Sequence, residues 1–432
     1  MVFYKQNVLI WQEIEMKYDY IIIGSGIVGL STAWQLQKRH PDKTILLVEK
    51  EAVVASHQTG HNSGVIHAGV YYAPGSLKAQ FCQQGAVATM DFCQQNDIPY
   101  EQCGKLIVAT NALELQRLDD LLKRCEQNEI EVKWLEQSEL AVKEPNVSGI
   151  AAIFVKQTGI VDYARICHKM AEKFVALGGE VLFDSEVTAI CESQQSVVVT
   201  LQCKARSKTR AKTKTAAGKN QNKRDIEAGF LIACGGLMAD RLTAMMDIEV
   251  DFQIVPYRGE YYQLPPEHNQ IVNHLIYPVP DPGLPFLGIH LTRMINGSVT
   301  VGPNAVQGFK REGYGRFNFS WRDTLQMLTF KGFWTVSRNN WATGLSETKN
   351  AWYKPGYLKL VQKYCPSLTL RDLQPYPAGI RAQAILSDGT LVHDFLFAQS
   401  PRSLHVCNAP SPAATAAIPI GGYICDKLEG LA

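Results

Sequence analysis

The 432-residue chain has almost no net charge, no paired cysteine motif and no long hydrophobic run, and each absence excludes a class of protein. The formal net charge is +2, although the segment from Lys204 to Arg224 carries nine lysine or arginine residues and no acidic one. A nucleic-acid-binding protein spreads its basic residues over a face, so we interpret this tract as a solvated, mobile hairpin insertion. Nucleic acid is therefore not expected as a partner.

The eleven cysteines are scattered through the chain and form no C-x-x-C pair. An odd and unpatterned set indicates buried thiols in a reducing compartment, so neither a disulfide framework nor a metal site is predicted. Residues 1–15 are predicted to be an N-terminal extension. Its apolar patch is interrupted by Lys5, Glu13 and Glu15, which is not typical of a secretory signal. We therefore expect a cytoplasmic protein.

One stretch of twenty residues, 406–425, carries no charge, but it contains three prolines and the pair Gly421-Gly422. It is too broken and too weakly apolar for a membrane-spanning helix. Any association with a membrane would then be peripheral, on the inner face of the cytoplasmic membrane. The basic tract at 204–224 is one candidate contact with anionic lipid.

The length of the chain predicts two domains, since single cores stop growing near about 250 to 300 residues. A βαβ unit opens the first domain, with strands at Tyr20–Ile23 and Ile45–Val48 and a helix between them. Alternating apolar residues between 252 and 301 predict a second, mainly antiparallel sheet. Both predicted domains are discontinuous: an α/β domain comprises residues 16–95, 150–245 and 375–432, and an α+β domain comprises residues 96–149 and 246–374.

The run Gly24-Ser25-Gly26-Ile27-Val28-Gly29 matches the pattern G-x-G-x-x-G and lies between the first strand and the helix. Gly24 allows a tight turn, Gly26 lets the backbone approach a pyrophosphate, and Gly29 allows close packing of helix on strand. Glu49 ends the second strand, where its carboxylate can accept hydrogen bonds from a ribose and would repel a 2′-phosphate. The motif predicts a dinucleotide site that disfavours NADP, while NAD and FAD both stay open.

Longer strings carry a resemblance to a known family. They include HQTGHNSGVIHAGVYY at 57–72, VPYRGEYYQL at 255–264, PAGIRAQA at 377–384 and NAPSPAAT at 408–415. The chain resembles the L-2-hydroxyglutarate dehydrogenase/oxidase family, among the flavin enzymes related to D-amino acid oxidase, over nearly its whole length. The resemblance implies an FAD-binding Rossmann-like domain and a substrate domain with a mainly antiparallel sheet. It also implies oxidation of L-2-hydroxyglutarate to 2-oxoglutarate by hydride transfer to noncovalent FAD, with a respiratory quinone or oxygen as the next acceptor.

The expected FAD contacts lie in the glycine motif, in the loop after the second strand, in short later segments and in the C-terminal string. They are Gly24, Gly26, Ile27, Val28, Gly29, Glu49, Lys50, His57, Thr59, His61, Asn62, Ser63, Gly64, Val65, Val187, Cys234, Gly235, Gly379, Arg381, Ser411, Pro412, Ala413, Ala414 and Thr415.

Oxidation of a secondary alcohol requires a base for the hydroxyl proton, and imidazole suits that role near neutral pH. The resemblance places His67 in the loop that faces the flavin, so His67 is the predicted base. His61 in the same loop is the second candidate, and it could instead orient Asn62 or contact the cofactor phosphates. His290 could face the same cavity or be a half-buried strand residue, and both alternatives stay open.

A substrate with two carboxylates requires at least two cationic partners, and the planar guanidinium group is the usual one. Arg258 and Arg381 are the candidates, and Arg381 resembles the carboxylate-binding arginine of amino acid oxidases. A surface salt bridge is the alternative for each. Lys105 lies in an apolar strand, where an ammonium group needs a partner. Tyr72, as a hydroxyl donor, and Lys310, as a remote carboxylate partner, complete the set.

Two other functions stay open at this point. One is an amino or imino acid oxidase on the same fold, and the other is a cofactor-binding protein without catalysis.

Overall fold

A computed structural model describes residues 17–430, except 205–221, 284–286, 316, 342–343, 345–348 and 350–352. The predicted N-terminal extension and most of the basic insertion lie outside the described residues. Strands β11 and β12, which flank the insertion, pair antiparallel with Gln202 opposite Lys223.

The described strands are β1 (Lys17–Ile23), β2 (Ile45–Val48), β3 (Val65–Ile66), β4 (Tyr100–Glu101), β5 (Lys105–Ala109), β6 (Lys133–Glu136), β7 (Ala151–Val155), β8 (Gly159–Val161), β9 (Glu180–Leu182), β10 (Ser185–Glu192), β11 (Val197–Cys203), β12 (Lys223–Ala233), β13 (Phe252–Gln263), β14 (Leu275–Pro278), β15 (His290–Arg293), β16 (Val299–Gly302), β17 (Val306–Gln307), β18 (Gln374–Leu386), β19 (Leu396–Ser400) and β20 (Ser403–Asn408). The described helices are α1 (Ile27–Arg39), α2 (Leu77–Gln95), α3 (Ala112–Gln127), α4 (Gln137–Lys143), α5 (Tyr163–Ala176), α6 (Ala239–Ala244), α7 (Trp321–Leu328), α8 (Lys331–Asn339), α9 (Lys354–Gln362) and α10 (Ala417–Glu429).

The first large sheet has eight strands, in the order β10-β11-β12-β1-β2-β9, with β20 paired to β12 and β19 paired to β20. Strands β9, β2, β1, β12 and β20 run parallel. The predicted βαβ unit is confirmed, because β1 and β2 pair in parallel with Ile23 opposite Val48. Helix α1 packs against α5 and α10, and their apolar side chains bury one face of this sheet. The packing fixes the glycine motif at the point where β1 ends.

The second large sheet has nine strands, in the order β17-β13-β16-β15-β14-β5-β7-β6, with β18 paired to β13. Among the described strands of this sheet, only β5 and β14 pair in parallel, so the predicted mainly antiparallel character is confirmed. The predicted domain boundaries at 150 and 375 assign β7 and β18 to the other domain, but both strands pair within this sheet. Backbone pairing therefore groups β7 and β18 with the substrate-side sheet. The division of the chain into domains stays a prediction.

A third sheet of three strands, β3-β8-β4, lies next to the site described below. Val65 in β3 is opposite Ile160 in β8, and Gly64 has a φ of +66° just before the pairing begins. A Cβ atom at Gly64 would lie 2.7 Å from the carbonyl oxygen of Val161, so glycine is required for this close approach. The pairing fixes the direction in which the chain continues toward His67.

Candidate active site

A cavity of about 940 Å³ is lined by residues from both large sheets. Small-molecule sites usually measure about 300 to 1,000 Å³, so this cavity can hold an extended ligand. Among the predicted catalytic residues, its wall includes His67, Tyr72, Arg258, His290 and Arg381. Among the predicted cofactor contacts, its wall includes Gly24, Gly26, Ile27, Val28, Gly29, Lys50, His57, Thr59, His61, Asn62, Ser63, Val65, Val187, Cys234, Gly235, Gly379, Ser411, Pro412, Ala413, Ala414 and Thr415. Glu49, Gly64, Lys105 and Lys310 do not line it.

The start of α1 leaves room for a phosphate group. Gly24 has a φ of +99°, and a Cβ atom at Gly29 would lie 2.0 Å from the carbonyl oxygen of Gly24. At Gly26 the nearest atom to an added Cβ is Thr59 Oγ1 at 3.5 Å, so the backbone is open there. Gly26 at the N-cap of α1 provides no side-chain cap, and the first turn has no acidic residue. Among the described residues, the N–H of Ile27 donates to Thr59 Oγ1 at 3.1 Å. The positive end of the helix dipole therefore suits the pyrophosphate of a dinucleotide.

Glu49 lies behind the cavity wall, which differs from the prediction of a direct ribose contact. Its Oε2 accepts hydrogen bonds from the backbone N–H and the hydroxyl group of Ser25, both at 2.8 Å. Its Oε1 accepts the N–H of Glu51 at 2.9 Å. These bonds brace the glycine turn. The contact of Glu49 with a ribose stays a prediction, and it requires the carboxylate to replace one of these hydrogen bonds with one from the ribose.

An ionic cluster follows β2 at the rim of the cavity. Lys50 pairs with Glu312, and Lys204 pairs with Glu51 at 3.1 Å. His57 Nε2 lies 3.2 Å from Glu51 and 3.5 Å from Glu312. Within the described chain, Glu51, His57 and Glu312 are the only group with a spacing suited to a metal ion. The two lysines already balance its carboxylates, so we assign no metal to this cluster.

His67 is held by its backbone while its imidazole ring lines the cavity. The backbone N–H of His67 donates to Thr415 Oγ1 at 3.1 Å, and its carbonyl oxygen accepts from Cys82 Sγ at 3.2 Å. Thr415 is fully buried, and its hydroxyl group also lies 2.9 Å from the hydroxyl group of Tyr163. Burial, followed by the charge of Lys105, lowers the pKa of His67 to about 3. The ring is therefore neutral near pH 7, as a proton acceptor must be.

The two alternative histidines are held by aromatic partners. His290 stacks on Tyr277 with ring centroids 4.0 Å apart, and its Nδ1 lies 3.2 Å from a backbone carbonyl oxygen. Burial lowers the pKa of His290 to about 4. His61 stacks on Tyr314 at 3.6 Å, and its Nδ1 lies 3.0 Å from a backbone carbonyl oxygen. Among the described residues, the ring nitrogens of His67 have no hydrogen-bond partner, which leaves them available to a substrate.

The two predicted arginines both line the cavity, but they lie on opposite faces of the β13–β18 pair. Tyr257 is opposite Arg381 in that pair, so the side chain of the next residue, Arg258, lies on the other face. Arg258 is buried, its Nε donates to Glu260 Oε1 at 2.5 Å, and its Nη1 donates to the carbonyl oxygen of Gly315 at 2.7 Å. These contacts place Arg258 in an internal ion pair, and its role as a carboxylate partner stays a prediction. Burial lowers the pKa of Arg381, which faces the cavity.

Lys105 lies one layer behind the cavity wall. Its side chain is fully buried, and its Nζ has no hydrogen-bond partner among the described residues. The ammonium group lies 4.5 Å from the ring centre of Tyr71 and 5.1 Å from that of Tyr277, two residues that line the cavity. Burial lowers the pKa of Lys105 to about 8. Lys105 can therefore act on the cavity through its charge, and its catalytic role stays a prediction.

Lys78 lines the cavity beside Arg381, although no sequence motif predicted it there. Ser76 accepts a backbone hydrogen bond and caps α2, which puts Lys78 in the first turn. Lys78 Nζ lies 4.8 Å from the ring centre of Tyr72 and donates to the carbonyl oxygen of His393 at 3.3 Å. Burial, followed by the charge of Arg381, lowers the pKa of Lys78 to about 8. A positive charge in the first turn of a helix interacts unfavourably with the helix dipole. That unfavourable position was the feature of the sequence that could have indicated a functional role for Lys78.

The C-terminal string closes the cavity before α10 begins. Residues 411–415 line it, and small side chains predominate among them. Asn408 is buried and donates its Nδ2 hydrogen to the carbonyl oxygen of Asp394 at 2.9 Å, which anchors the string to the end of β20. Lys310, by contrast, is exposed at the surface and outside the cavity wall. Its role as a remote carboxylate partner stays a prediction.

Together these residues form a dinucleotide cradle continuous with a polar chamber, which is the arrangement of an FAD-dependent oxidoreductase. The family of FAD dependent oxidoreductases matches residues 19–427, and the chain belongs to that family. Within it, the chain is 55% identical to the L-2-hydroxyglutarate dehydrogenase of Escherichia coli (strain K12), over 96% of this chain and 94% of the relative. It is 42% identical to the mitochondrial L-2-hydroxyglutarate dehydrogenase of Homo sapiens, over 95% and 89%.

Solved structures share the fold at lower identity. The FAD-bound L-alpha-glycerophosphate oxidase of Mycoplasma pneumoniae superimposes with a TM-score of 0.73 at 21% identity, covering 96% of this chain and 95% of that one. The glycine oxidase of Geobacillus kaustophilus gives a TM-score of 0.69 at 15% identity, with 96% and 95% coverage. FAD is the cofactor of this enzyme class, and the open backbone at Gly26 together with the uncapped start of α1 fits it. None of the described helices is long and apolar enough to cross a membrane.

Proposed function

We propose that this enzyme oxidises L-2-hydroxyglutarate to 2-oxoglutarate, with His67 as the base and with Arg381 and Lys78 as the partners of the two carboxylates. The observation that carries the proposal is one chamber that contains a neutral imidazole ring and two cations. The identity to L-2-hydroxyglutarate dehydrogenases supports the choice of substrate.

The glycine motif, the loop at 57–63 and the C-terminal string would hold FAD. Bound there, FAD supplies the hydride acceptor for the carbon that carries the hydroxyl group. The open backbone at Gly26 would face the pyrophosphate, and the small residues at 411–415 permit close approach to a flat ring.

His67 takes the hydroxyl proton of the substrate. Its ring is neutral because it is buried beside Lys105, so it can accept that proton without first losing one. A bound dianion brings two negative charges into the same chamber, which raises the pKa of His67 from about 3 toward neutral pH. The bond from its backbone N–H to Thr415 fixes where the ring stands.

Arg381 holds the carboxylate next to the reacting carbon. Tyr72 and Tyr261 lie close enough to influence the charge of Arg381, and all three residues line the cavity. A guanidinium group can bind a carboxylate with two parallel hydrogen bonds, which orients the carbon between the base and the acceptor. Lys78 then holds the distal carboxylate, a contact that an amino acid with one carboxylate could not make.

The function is tested by mixing the FAD-loaded protein with candidate substrates in the absence of oxygen. L-2-hydroxyglutarate should bleach the yellow flavin and yield 2-oxoglutarate, whereas glycine, L-proline and other amino acids should not. Bleaching by amino acids alone would favour the amino acid oxidase alternative. A flavin that responds to neither would favour a protein without catalysis.

We further propose that a membrane quinone, at the inner face of the cytoplasmic membrane, accepts the electrons. The relatives are dehydrogenases, which supports an acceptor other than oxygen. A short-chain quinone should reoxidise the substrate-reduced enzyme much faster than dissolved oxygen does. Equal rates with both acceptors, or faster turnover with oxygen, would contradict this assignment.

A further inference from the structure

The segment from Phe309 to Trp341 exposes an unusual number of large apolar side chains. Phe317 is 91% exposed and Trp321 is 80% exposed. The exposed residues of this segment, which we call the aromatic face, are Phe309, Phe317, Phe319, Trp321, Leu325, Leu328, Trp334 and Trp341. Scattered exposed apolar residues are normal, but a concentrated patch usually marks an interaction site.

Helical spacing puts much of the aromatic face on one side of α7. Trp321, Leu325 and Leu328 are separated by four and three residues, so they share a helix face. Met327, on the other side of α7, joins a buried cluster that includes residues of α8, β13 and β18. Helix α7 therefore packs one side in the core and leaves its aromatic and leucine side chains exposed.

Helix α8 continues the same surface. Trp334 Nε1 donates to the carbonyl oxygen of Leu328 at 2.8 Å, which places the indole ring against the end of α7. The rings of Phe319 and Trp321 meet edge to face with centroids 4.9 Å apart. Phe333 and Val336 in α8 are buried, so this helix also divides into a core side and an exposed side. The two helices form one amphipathic unit.

The exposed charges within the segment that carries the aromatic face are of one sign. Its exposed ionisable residues within the described part of 309–341 are Lys310, Arg322, Lys331 and Arg338, all basic. The two acids in that part are already paired: Glu312 with Lys50, and Asp323 with Arg241 at 2.6 Å. An apolar surface with tryptophans at its exposed side and cations around it suits the interface of an anionic lipid bilayer.

We propose that the aromatic face docks this enzyme on the surface of an anionic membrane, with the tryptophans in the interfacial layer and the basic residues at the lipid headgroups. This assignment replaces the basic tract at 204–224 as the principal membrane contact. Arg322 in α7 also lines the cavity, so docking brings the cavity rim to the lipid surface. The proposed quinone route needs such proximity, but docking itself does not depend on the substrate.

The test is flotation of the purified holoenzyme with vesicles of phosphatidylethanolamine and phosphatidylglycerol, compared with vesicles of phosphatidylcholine alone. The wild-type protein should float with the anionic vesicles and lose binding at high salt. The double variant Trp321→Ser with Leu325→Ser should weaken binding by about tenfold or more. A charge variant, Lys331→Glu with Arg338→Glu, should weaken it on anionic vesicles. The matched control is Val142→Ser, which removes an 84% exposed apolar residue elsewhere.

Dye-linked turnover should stay unchanged in all these variants, which separates docking from catalysis. Deletion of residues 206–219 should leave flotation intact. The proposal is overturned if the wild-type protein does not float, if the Trp321 and Leu325 variant floats like Val142→Ser, or if the deletion abolishes binding. It is also overturned if the aromatic face instead holds two copies together, so that the double variant only converts a dimer to a monomer.

Discussion

Replacement of Lys78 by glutamine should remove the preference of the enzyme for a second carboxylate. The amide side chain is one bond shorter but keeps an N–H donor, and the start of α2 should be preserved because Ser76 caps it. What is lost is one positive charge beside Arg381. We therefore expect kcat/KM to fall for L-2-hydroxyglutarate but not for L-2-hydroxypentanoate, in which a methyl group replaces the distal carboxylate.

The size of the effect follows from the position of Lys78. A hydrogen bond to a charged group contributes about 1.5 to 3 kcal/mol when it is buried, and every 1.4 kcal/mol is about tenfold. The side chain of Lys78 is only half-buried, so solvent screening reduces what its charge contributes to binding the carboxylate. A loss of about 10- to 30-fold for the diacid is expected, against less than about threefold for the monoacid.

The assay measures kcat/KM for both substrates with a soluble dye, together with binding of glutarate and pentanoate to the oxidised holoenzyme by the change in flavin absorbance. Arg322→Gln is the control, because it removes an exposed cation that also lines the cavity. Lys78→Arg should restore much of the discrimination. Equal losses for both substrates in Lys78→Gln, or unchanged glutarate binding, would refute the assignment.

Three further predictions concern the base, its support and the cofactor site. His67→Asn should retain FAD and glutarate binding but slow anaerobic flavin reduction by about 100-fold or more, whereas His61→Asn should slow it less. The rates are measured by stopped-flow absorbance. A larger defect in His61→Asn would contradict the assignment of His67 as the base. Thr415→Val should lower kcat more than it raises KM, because it removes the bond to the His67 N–H; an unchanged kcat would exclude that positioning role. Glu49→Arg should weaken FAD retention on gel filtration, and flavin at wild-type stoichiometry would count against its place at the ribose.

The preference for the diacid should also depend on pH. Burial beside Arg381 lowers the pKa of Lys78 to about 8, so the charged form that binds a carboxylate prevails below that pH and is lost above it. The ratio of kcat/KM for the two substrates should therefore fall as the pH rises through about 8, or somewhat higher once the diacid is bound. In Lys78→Arg the ratio should stay constant over that range. A falling ratio in the arginine variant would assign the titration to another group.

The glycine motif and the βαβ unit could be predicted because their signals are local. A tight turn, an apolar strand and a helix-period segment follow one another within residues 20–48, and the observed β1, α1 and β2 match them. The cavity position of His67 and Arg381 came from long family-specific strings. In both cases short-range sequence was sufficient.

The features that the sequence did not reveal have a different physical origin, because they depend on contacts between distant segments. Arg258 donates hydrogen bonds to Glu260 and to the carbonyl oxygen of Gly315. The face of the sheet on which its side chain lies follows from the register of β13 with β18, which no local pattern reveals. Lys105 lies behind two tyrosines that are distant from it in sequence. The proposed role of Lys78 depends on the fold, which brings α2 next to Arg381 on β18.

The central claim is that one chamber binds a 2-hydroxy diacid between His67 and two cations and oxidises it. Anaerobic titration of the FAD-loaded enzyme with L-2-hydroxyglutarate, monitored by flavin absorbance and by the 2-oxoglutarate formed, tests it most directly. We expect complete bleaching with one 2-oxoglutarate formed per flavin, and no bleaching by L-glutamate. Bleaching by L-glutamate without a response to L-2-hydroxyglutarate would contradict it.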